Sequence, residues 1–443
     1  MKKIKVILSN HKSLILILCL GLFLRLFHFR ELFYYGHDQD LASWVIKDIV
    51  VDGHIRLIGQ ETSAHGIFIG PLFYYLLVPF YVLFRMDPIG GIFLSFLLGG
   101  FSIVSFYYVF SKVFGKREGL IGAFIYGVSF SIIMTDREVV PTEPTFLWTI
   151  WFFYVLWLIY KGRQKLGFLI SGVLLAFVWH ISLGLITIAP LLPLALAFSR
   201  KKLSIKWLIV SVGIFLFLST PLLLFELRHN FQQTKAVFVS LTTDNNYIAG
   251  TATGLGKLDR VFQLVNINSR RLISGDIFTI HGKWYFYTLV FLFLYLIYKK
   301  KISYPLGILM FIWVFLIILF FTKSSINVSE YYLNGINVIW IIVLSLSTIE
   351  FKTFGKIFLF IFCLVNLYIF FTIPINQSGY LQRKSIVGFI KSDALERGYP
   401  CVSVSYITSP GNNFGYRQFF YLANLHVNQP KSGSPVYSIV FPH

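Results

Sequence analysis

Residues 145–182 read TFLWTIWFFYVLWLIYKGRQKLGFLISGVLLAFVWHIS, which is two apolar stretches joined by a short basic turn. Each stretch holds about 17 residues, long enough for a helix to cross most of a hydrocarbon core of about 30 Å. Lysine and arginine cluster in the turn, at Lys161, Arg163 and Lys165. The alternation of apolar stretch and basic turn recurs along the chain and predicts an all-α polytopic membrane protein.

The composition of the 443 residues supports this class. Hydrophobic residues make up 56% of the chain and charged residues 13%, whereas charged residues make up about a quarter of an ordinary soluble domain. Three cysteines are too few for a disulfide framework. The apolar stretches predict eleven transmembrane helices, at 14–30, 89–110, 119–135, 144–160, 166–182, 184–198, 207–225, 284–297, 303–322, 335–349 and 358–374.

The distribution of lysine and arginine predicts the orientation of these helices. With the N-terminus in the cytoplasm, the inner segments hold 19 Lys or Arg in 47 residues, and the outer segments hold 18 in 205. This difference satisfies the positive-inside rule. The predicted inner segments are 1–13, 111–118, 161–165, 199–206, 298–302 and 350–357. The predicted outer segments are 31–88, 136–143, 226–283, 323–334 and 375–443.

The net charge of +20 therefore follows the membrane and does not indicate a nucleic-acid partner. We expect an integral protein of the plasma membrane, with a membrane body at 1–374. Two outer loops are long, the first at 31–88 and a large one at 226–283. The apolar residues 67–84 fall in the first loop, and Pro71 and Pro79 favour a membrane-surface or re-entrant helix there over a crossing.

The C-terminal residues 375–443 differ in composition from the membrane body. Helical spacing predicts helices at 384–397 and 417–424, and β-branched runs predict strands at 401–407 and 436–441. The sequence thus predicts a small extracytoplasmic α/β tail.

Carboxylates are concentrated in the predicted outer loops. Only Glu118 and Glu350 of the nineteen acidic residues fall in inner segments. The first loop opens with GHDQD, which places Asp38 and Asp40 just after the first transmembrane helix, ahead of an amphipathic helix at 40–52. A partly desolvated carboxylate there suits the removal of a proton from a hydroxyl, although an isolated D-x-D is also typical of solvated loop charges.

The second outer loop, TDREVVPTEP, carries Asp136, Arg137, Glu138 and Glu143. Three acids and one arginine between two helices are as typical of a self-neutralising surface turn as of a functional loop. Pro141 and Pro144 stiffen the backbone around Glu143, which makes this carboxylate the better functional candidate of the loop.

Candidate cations for binding a phosphate lie at the outer ends of other helices. PLLLFELRHNF places Arg228 and His229 where the seventh helix leaves the membrane, as interfacial anchors or as a clamp for an anion. His180 lies near the outer end of the fifth helix, in a setting equally typical of a buried core histidine. We expect Arg137 and Tyr332 to contribute to the same donor-phosphate site.

Taken together, these segments resemble the GT-C superfamily of polytopic glycosyltransferases, in the group of dolichyl-phosphate-mannose protein mannosyltransferases and lipid A aminoarabinose transferases. The resemblance runs to about residue 374. It is carried by GHDQD, GPLFYYLLVPFY, FGKREGLIGAFIYGVS, the Trp179–His180 pair, PLLLFELRHNF and EYYLNGIN. It implies a sugar donor on a polyprenyl phosphate, an outer-face active site, transfer with inversion to a lipid, glycan or protein acceptor, and Asp38 as general base.

The sequence departs from the pattern of this group in two respects. Gln39 separates Asp38 from Asp40, where members of the group usually have adjacent acids. Glu143 matches the second-loop acidic position only approximately, so Asp136 is a competing candidate. Spaced acidic pairs in this superfamily sometimes hold a divalent metal, which makes Asp38 and Asp40 candidate ligands. The alternative function is a transporter or flippase of a lipid-linked sugar, which would need ionisable residues along a path through the membrane.

Overall fold

The computed structural model describes residues 12–62, 65–242, 254–278, 283–324, 328–374, 379–408 and 413–440. These residues form a mostly helical body followed by a small sheet. The helices of the first half are α1 Lys12–Leu26, α2 His37–Val50, α3 Leu72–Leu83, α4 Gly91–Val113, α5 Lys116–Val128, α6 Phe130–Thr135, α7 Thr145–Tyr160, α8 Gln164–Ile181 and α9 Leu191–Ser199. Those that follow are α10 Ile205–Leu218, α11 Thr220–Arg228, α12 Gln232–Thr242, α13 Gly254–Ser274, α14 Trp284–Tyr298, α15 Tyr304–Lys323, α16 Asn337–Glu350, α17 Lys352–Thr372, α18 Tyr380–Glu396 and α19 Arg417–Leu422.

Every predicted transmembrane stretch contains a helix, but the helices differ in length and some stretches are interrupted, as at Ser129 between α5 and α6. Within the described ranges, five are long and apolar enough to cross a membrane, and a sixth is formed if α10 and α11, bent by 61°, count as one. The five are Pro88–Val113, Gln164–Ile181, Tyr304–Lys323, Glu330–Glu350 and Lys352–Thr372. Shorter apolar helices include α7 and α14. An integral membrane protein is therefore supported, whereas the number of eleven crossings stays a prediction.

Helix α16 lies at the centre of the bundle. All residues from Asn337 to Thr348 are buried, and Trp340 on this helix packs edge-on against Phe286 of α14. Nearby, Trp148 of α7 donates a hydrogen bond from its ring N–H to the carbonyl of Leu174, 2.7 Å away. Large aromatic side chains thus fill the core. The ring N–H of Trp148 is paired, whereas that of Trp340 is buried with no hydrogen-bond partner within the described ranges.

Helix α13 lies in the segment predicted as the large outer loop, yet its apolar face is part of the core. Val261, Leu264, Val265 and Leu272 are buried. They recur every three to four residues, which places them on one side of the helix. The segment is thus a packed amphipathic helix that carries its polar side towards one end of the bundle.

The first outer segment contains two helices, α2 and α3. Helix α2 begins at His37, three residues earlier than predicted, so Asp38 and Asp40 lie in its first turn. Helix α3 has 12 residues and a rise of about 18 Å, too short for a hydrocarbon core of about 30 Å. Other predicted transmembrane helices, such as α14, are nearly as short, so the placement of residues 67–84 outside the crossings stays a prediction.

The C-terminal unit, residues 379–408 and 413–440, is a three-stranded sheet with helices α18 and α19. Its strands are β1 Cys401–Ile407, β2 His426–Asn428 and β3 Val436–Val440, in the parallel order β2-β1-β3. Ser403 lies opposite Val436 in this register. The predicted small α/β tail is confirmed as a fold, and β2 is an additional short strand that the pattern did not indicate.

The basic turns predicted for the inner face lie near one another. Gln164 donates to the carbonyl of Lys202 at 2.9 Å, and Lys301 forms an ion pair with Glu350 at 2.9 Å. Four of the five segments predicted for the outer face meet in the cavity described next.

Candidate active site

One cavity of about 820 Å³ is lined by residues from four of the five predicted outer segments. The first loop contributes Asp38, the second Glu138 and Glu143, and helix α13 contributes Arg271. Its other polar lining residues include His37, Gln60, Glu61, Thr62, Ser131, Thr135, Thr142, Ser182, Asn268, Ser324, Glu330, Tyr331, Tyr332 and Asn334. A cavity with an apolar wall and convergent polar groups is the usual form of a small-molecule site.

Asp38 is exposed to this cavity from the first turn of α2. Among the residues that the structure describes, its carboxylate has no hydrogen-bond or ion-pair partner. The turn itself is rigid, because the Gly36 N–H donates to Gln39 Oε1 at 3.0 Å and the Asp40 N–H to the Gly36 carbonyl at 3.1 Å. A helix N-terminus favours a negative charge, so the first turn of α2 is a suitable support for a carboxylate.

Asp40 is buried and faces away from the cavity, against the C-terminal unit. Its Oδ1 accepts hydrogen bonds from the Gln418 N–H at 3.0 Å and the Tyr35 hydroxyl at 3.3 Å, and Arg417 lies 3.8 Å from Oδ2. Burial raises the pKa of Asp40, against the opposing effect of these partners. The two acids of GHDQD therefore have different surroundings, and a shared metal between them does not fit this arrangement. Within the described ranges there is no group of three or more His, Cys, Asp or Glu placed to hold a metal ion.

Glu138 is a cavity residue that the sequence reasoning did not select. Burial raises its pKa to about 7, and the negative charges of Asp38 and Glu330 act in the same direction. The burial is partial, because the side chain lines the cavity and remains exposed to solvent there. The group can therefore exchange a proton near neutral pH, which is the property of an acid or base in catalysis.

Glu143 also lines the cavity but is almost wholly buried. The Ser95 hydroxyl donates to its Oε2 at 2.8 Å, whereas its Oε1 is buried with no hydrogen-bond partner within the described ranges. Burial raises the pKa of Glu143 well above its usual value, which favours the neutral acid. A neutral carboxyl of this kind can donate a hydrogen bond into the cavity.

Asp136 lies in the protein interior and does not line the cavity. Arg25 of α1 donates to its Oδ2 from Nη2 at 2.6 Å and from Nε at 3.0 Å. The Tyr126 hydroxyl lies 2.9 Å and 2.8 Å from the two carboxylate oxygens. This paired arrangement fastens α1 to the second loop. It leaves Asp136 without access to a substrate in the cavity.

Arg137 is also directed away from the cavity. Its guanidinium donates to the carbonyls of Arg25, at 3.1 Å, and Phe27, at the C-terminal end of α1. These carbonyls have no partner within their own helix, and a cation stabilises this end of a helix. Burial lowers the pKa of Arg137 to about 10.

The other predicted phosphate ligands are dispersed. Arg228 and His229 are exposed at the end of α11 and are not lining residues, and the His229 ring stacks on Phe225 at 4.2 Å. His180 is buried under the start of α3, where its Nδ1 accepts from the Leu72 N–H at 3.4 Å. Gly70 is needed at this contact, because a Cβ there would lie 2.0 Å from His180 Nδ1. Only Tyr332 of this set reaches the cavity.

Arg271 is the arginine that does line the cavity. Its Nη1 donates to Glu330 Oε1 at 2.8 Å, and its Nε lies 3.3 Å from both carboxylate oxygens of Asp276. Two acids thus hold the guanidinium while it stays partly exposed. The strong helical periodicity of residues 254–274 and the Arg270–Arg271 pair were the available signals for this site. Glu330 lies within EYYLNGIN, a segment selected for its resemblance.

The chain is similar to known glycosyltransferases. Residues 69–225 match the family described as dolichyl-phosphate-mannose-protein mannosyltransferase. ArnT from Cupriavidus metallidurans, solved with undecaprenyl phosphate, matches 95% of this chain and 87% of its own, with a TM-score of 0.63 and 11% identity. The apo structure of the same protein matches 96% of this chain and 87% of its own, with a TM-score of 0.61 and 10% identity. No curated protein matches by sequence.

A second match is the archaeal oligosaccharyltransferase AglB from Archaeoglobus fulgidus, solved with an inhibitory peptide and a dolichol-phosphate. It gives a TM-score of 0.50 and 14% identity over 95% of this chain. This chain spans only 64% of the length of AglB. At these identities the likeness establishes the fold. The chain has the fold of the GT-C glycosyltransferases, and the resemblance predicted from the sequence is confirmed.

Proposed function

We propose that this chain transfers a sugar from a polyprenyl-phosphate-linked donor to an acceptor hydroxyl, with inversion, and that Asp38 is the general base. The observation that carries the proposal is the unpartnered Asp38 carboxylate, held on the first turn of α2 in a cavity that also contains Arg271. Similarity to proteins solved with undecaprenyl phosphate and dolichol-phosphate supports a donor of this class.

A glycosyl phosphate needs little activation of its leaving group. The acceptor oxygen attacks the anomeric carbon while its proton passes to Asp38, and the bond between that carbon and the phosphate oxygen breaks. The bonding electrons leave with the phosphate, and one displacement inverts the anomeric centre. General-base assistance contributes about 10² to 10⁴ in rate.

Arg271 is the group best placed to stabilise the departing phosphate. Its guanidinium is held by Glu330 and Asp276 and remains partly exposed at the cavity. A planar guanidinium binds two phosphate oxygens at once, and such charge-assisted hydrogen bonds are among the strongest in proteins. Arg271 therefore takes the role that the sequence had assigned to Arg228 and His229.

The transporter alternative is not favoured by the matched family and folds, which are those of glycosyltransferases. The interior arginine Arg25 is tied to Asp136 and to the carbonyls of Gly21 and Gly127, rather than arranged along a path through the bundle. Buried ionisable groups on a transport path line an aqueous cavity. Arg25 is not among the residues that line the cavity.

Transfer from synthetic polyprenyl-phosphate sugars by the detergent-purified protein tests the proposal. Asp38→Asn keeps the size of the side chain and removes its basicity, so we expect donor binding to persist and transfer to fall by about 10² or more. Asp52→Asn is the matched control, because Asp52 follows the same helix and pairs with Lys47 outside the cavity. Transfer by Asp38→Asn above about a tenth of wild type would remove Asp38 from the role of base.

We place the active site and the C-terminal tail on the extracytoplasmic face of the plasma membrane, with the N-terminus in the cytoplasm. The excess of lysine and arginine in the opposite segments supports this orientation. A single cysteine at Ser405, in a chain without other cysteines, should react with an impermeant reagent in intact cells, whereas one at Gly162 should not. Asp244, in the large outer loop, lies outside the described residues.

A further inference from the structure

The C-terminal unit contacts the first outer segment beside Asp38. The His37 and Phe414 rings lie 4.3 Å apart between their centroids, and the Gln418 N–H donates to Asp40 Oδ1 at 3.0 Å. The C-terminal unit thus contacts His37, one residue before Asp38, and Asp40, two residues after it.

Gln418 joins the two ends of the first outer segment. Its backbone N–H binds Asp40 near the start, and its side-chain Nε2 donates to the Met86 carbonyl at 2.9 Å near the end. The side chain is fully buried. Buried hydrogen bonds of this kind specify one arrangement, because a partner that loses its bond remains desolvated.

Helix α18 contacts the same two ends. The Tyr380 N–H donates to the Phe33 carbonyl at 3.0 Å, and its hydroxyl donates to Asp87 Oδ1 at 2.7 Å. Lys384 adds a bond to Asp87 Oδ2 at 2.5 Å. Two helices of the C-terminal unit, α18 and α19, therefore contact both ends of the first outer segment, which carries Asp38. These helices lie far from that segment in the sequence.

We propose that the C-terminal unit is a positioning element of the active site, which holds Asp38 in the cavity through the contact of Asp40 with Gln418. The inference rests on the proposed function insofar as Asp38 is the base. Asp40 is then a positioning residue: it binds the C-terminal unit, and its helix turn presents Asp38. The tail is thereby assigned a role in transfer beyond that of a separate appendage.

Asp40→Ala tests the contact, because it removes the acceptor of the Gln418 N–H. We expect the turnover of sugar transfer to fall at least tenfold. The KM for the donor should stay within twofold of the wild-type value, because the substitution does not affect Arg271. Asp40→Asn keeps an oxygen that can accept the same bond and should restore most of the turnover. A general loss of folded protein would instead lower yield and donor-binding stoichiometry equally in both variants.

Hydrogen exchange of the backbone amides at 37–43 gives a readout that does not require transfer. We expect at least tenfold faster exchange in Asp40→Ala than in wild type, and near-normal exchange in Asp40→Asn. Gln418→Ala, which keeps the backbone donor but releases Met86, is a second variant and should accelerate exchange at 84–87. Arg397→Ala is the control, because Arg397 pairs with Asp393 inside the C-terminal unit.

The two proposals can fail separately. Unchanged exchange at 37–43 and unchanged turnover in Asp40→Ala would overturn the positioning role, whatever the reaction is. Faster exchange together with an absence of sugar transfer by the wild type would instead overturn the proposed function and leave the mechanical coupling intact. Equal loss of turnover in Arg397→Ala and Asp40→Ala would also overturn the role, because it would make the effect one of general stability.

Discussion

Glu138 gives the sharpest test of the charge arrangement in the cavity. Burial and the charges of Asp38 and Glu330 raise its pKa to about 7, so its charge changes within the range in which the protein can be assayed. When Glu138 ionises, it adds a negative charge to a cavity that must admit a phosphate. We therefore expect the neutral form to be the active one, and kcat/KM for the donor to fall as pH rises through 7.

The size of the effect follows from that pKa. At pH 6 about nine-tenths of the carboxyl is protonated, and at pH 8 about one-tenth, so kcat/KM should fall by about an order of magnitude between them. Glu138→Gln is neutral at every pH and has similar shape. Its kcat/KM should stay nearly constant from pH 6 to 8 and exceed that of wild type at pH 8.

The assay is the initial rate of transfer at subsaturating donor across that pH range. His37 lines the same cavity, so His37→Asn is the necessary comparison. We expect His37→Asn to retain the fall in rate above pH 7. A rate that does not change with pH in wild type, or an equal fall in Glu138→Gln, would refute the assignment of the titration to Glu138.

Two further pairs of substitutions each compare two residues of the same type, two arginines and two aspartates. Arg271→Ala should weaken donor binding by about tenfold to a hundredfold, because a charged hydrogen bond contributes about 1.5 to 3 kcal/mol. Arg228→Ala, on the exposed end of α11, should change donor binding less than twofold. Lipid-binding titration of both variants measures this difference, and the reverse order would restore Arg228 as the phosphate ligand. Asp136→Asn should lower the stability of the protein by about 3 to 5 kcal/mol, because it leaves the buried Arg25 without its counter-charge, while the exposed Asp52→Asn should cost less than about 1 kcal/mol. Thermal unfolding in detergent measures the difference, and a loss of transfer per folded Asp136→Asn molecule would place Asp136 in the reaction after all.

The helices of the membrane body could be predicted because each depends on a local property, the length of an apolar stretch. The candidate site depends on orientation, which is not local. Asp136 and Glu138 lie two residues apart in one loop, yet Asp136 pairs with Arg25 in the interior and Glu138 lines the cavity. Nothing in TDREVVPTEP distinguishes them, because the direction of Asp136 depends on its pairing with Arg25 of α1, far away in the sequence.

The choice of phosphate ligand also depends on orientation. Arg228 and His229 lie at the end of an apolar helix, which is the expected depth for a phosphate group, but the 61° bend between α10 and α11 leaves them exposed on the surface. Arg271 lies on α13 next to the buried Leu272, in a segment whose composition predicts a loop. Its position depends on the packing of α13 against the bundle, which a pattern along the chain does not reveal.

The spacing of Asp38 and Asp40 has a physical consequence once α2 is known to begin at His37. Successive residues of a helix are turned by about 100°, so residues two apart point about 200° from each other, to nearly opposite sides. One acid can therefore face the cavity while the other faces the C-terminal unit, as the contacts of Asp40 with Gln418 show. Gln39 lies between the two acids, where the resemblance predicts adjacent acids. Its side-chain Oε1 accepts a hydrogen bond from the Gly36 N–H, which closes the first turn of α2. In the proposed mechanism this spacing separates two tasks on one helical turn: Asp38 acts in the cavity, and Asp40 binds the C-terminal unit and orients Asp38.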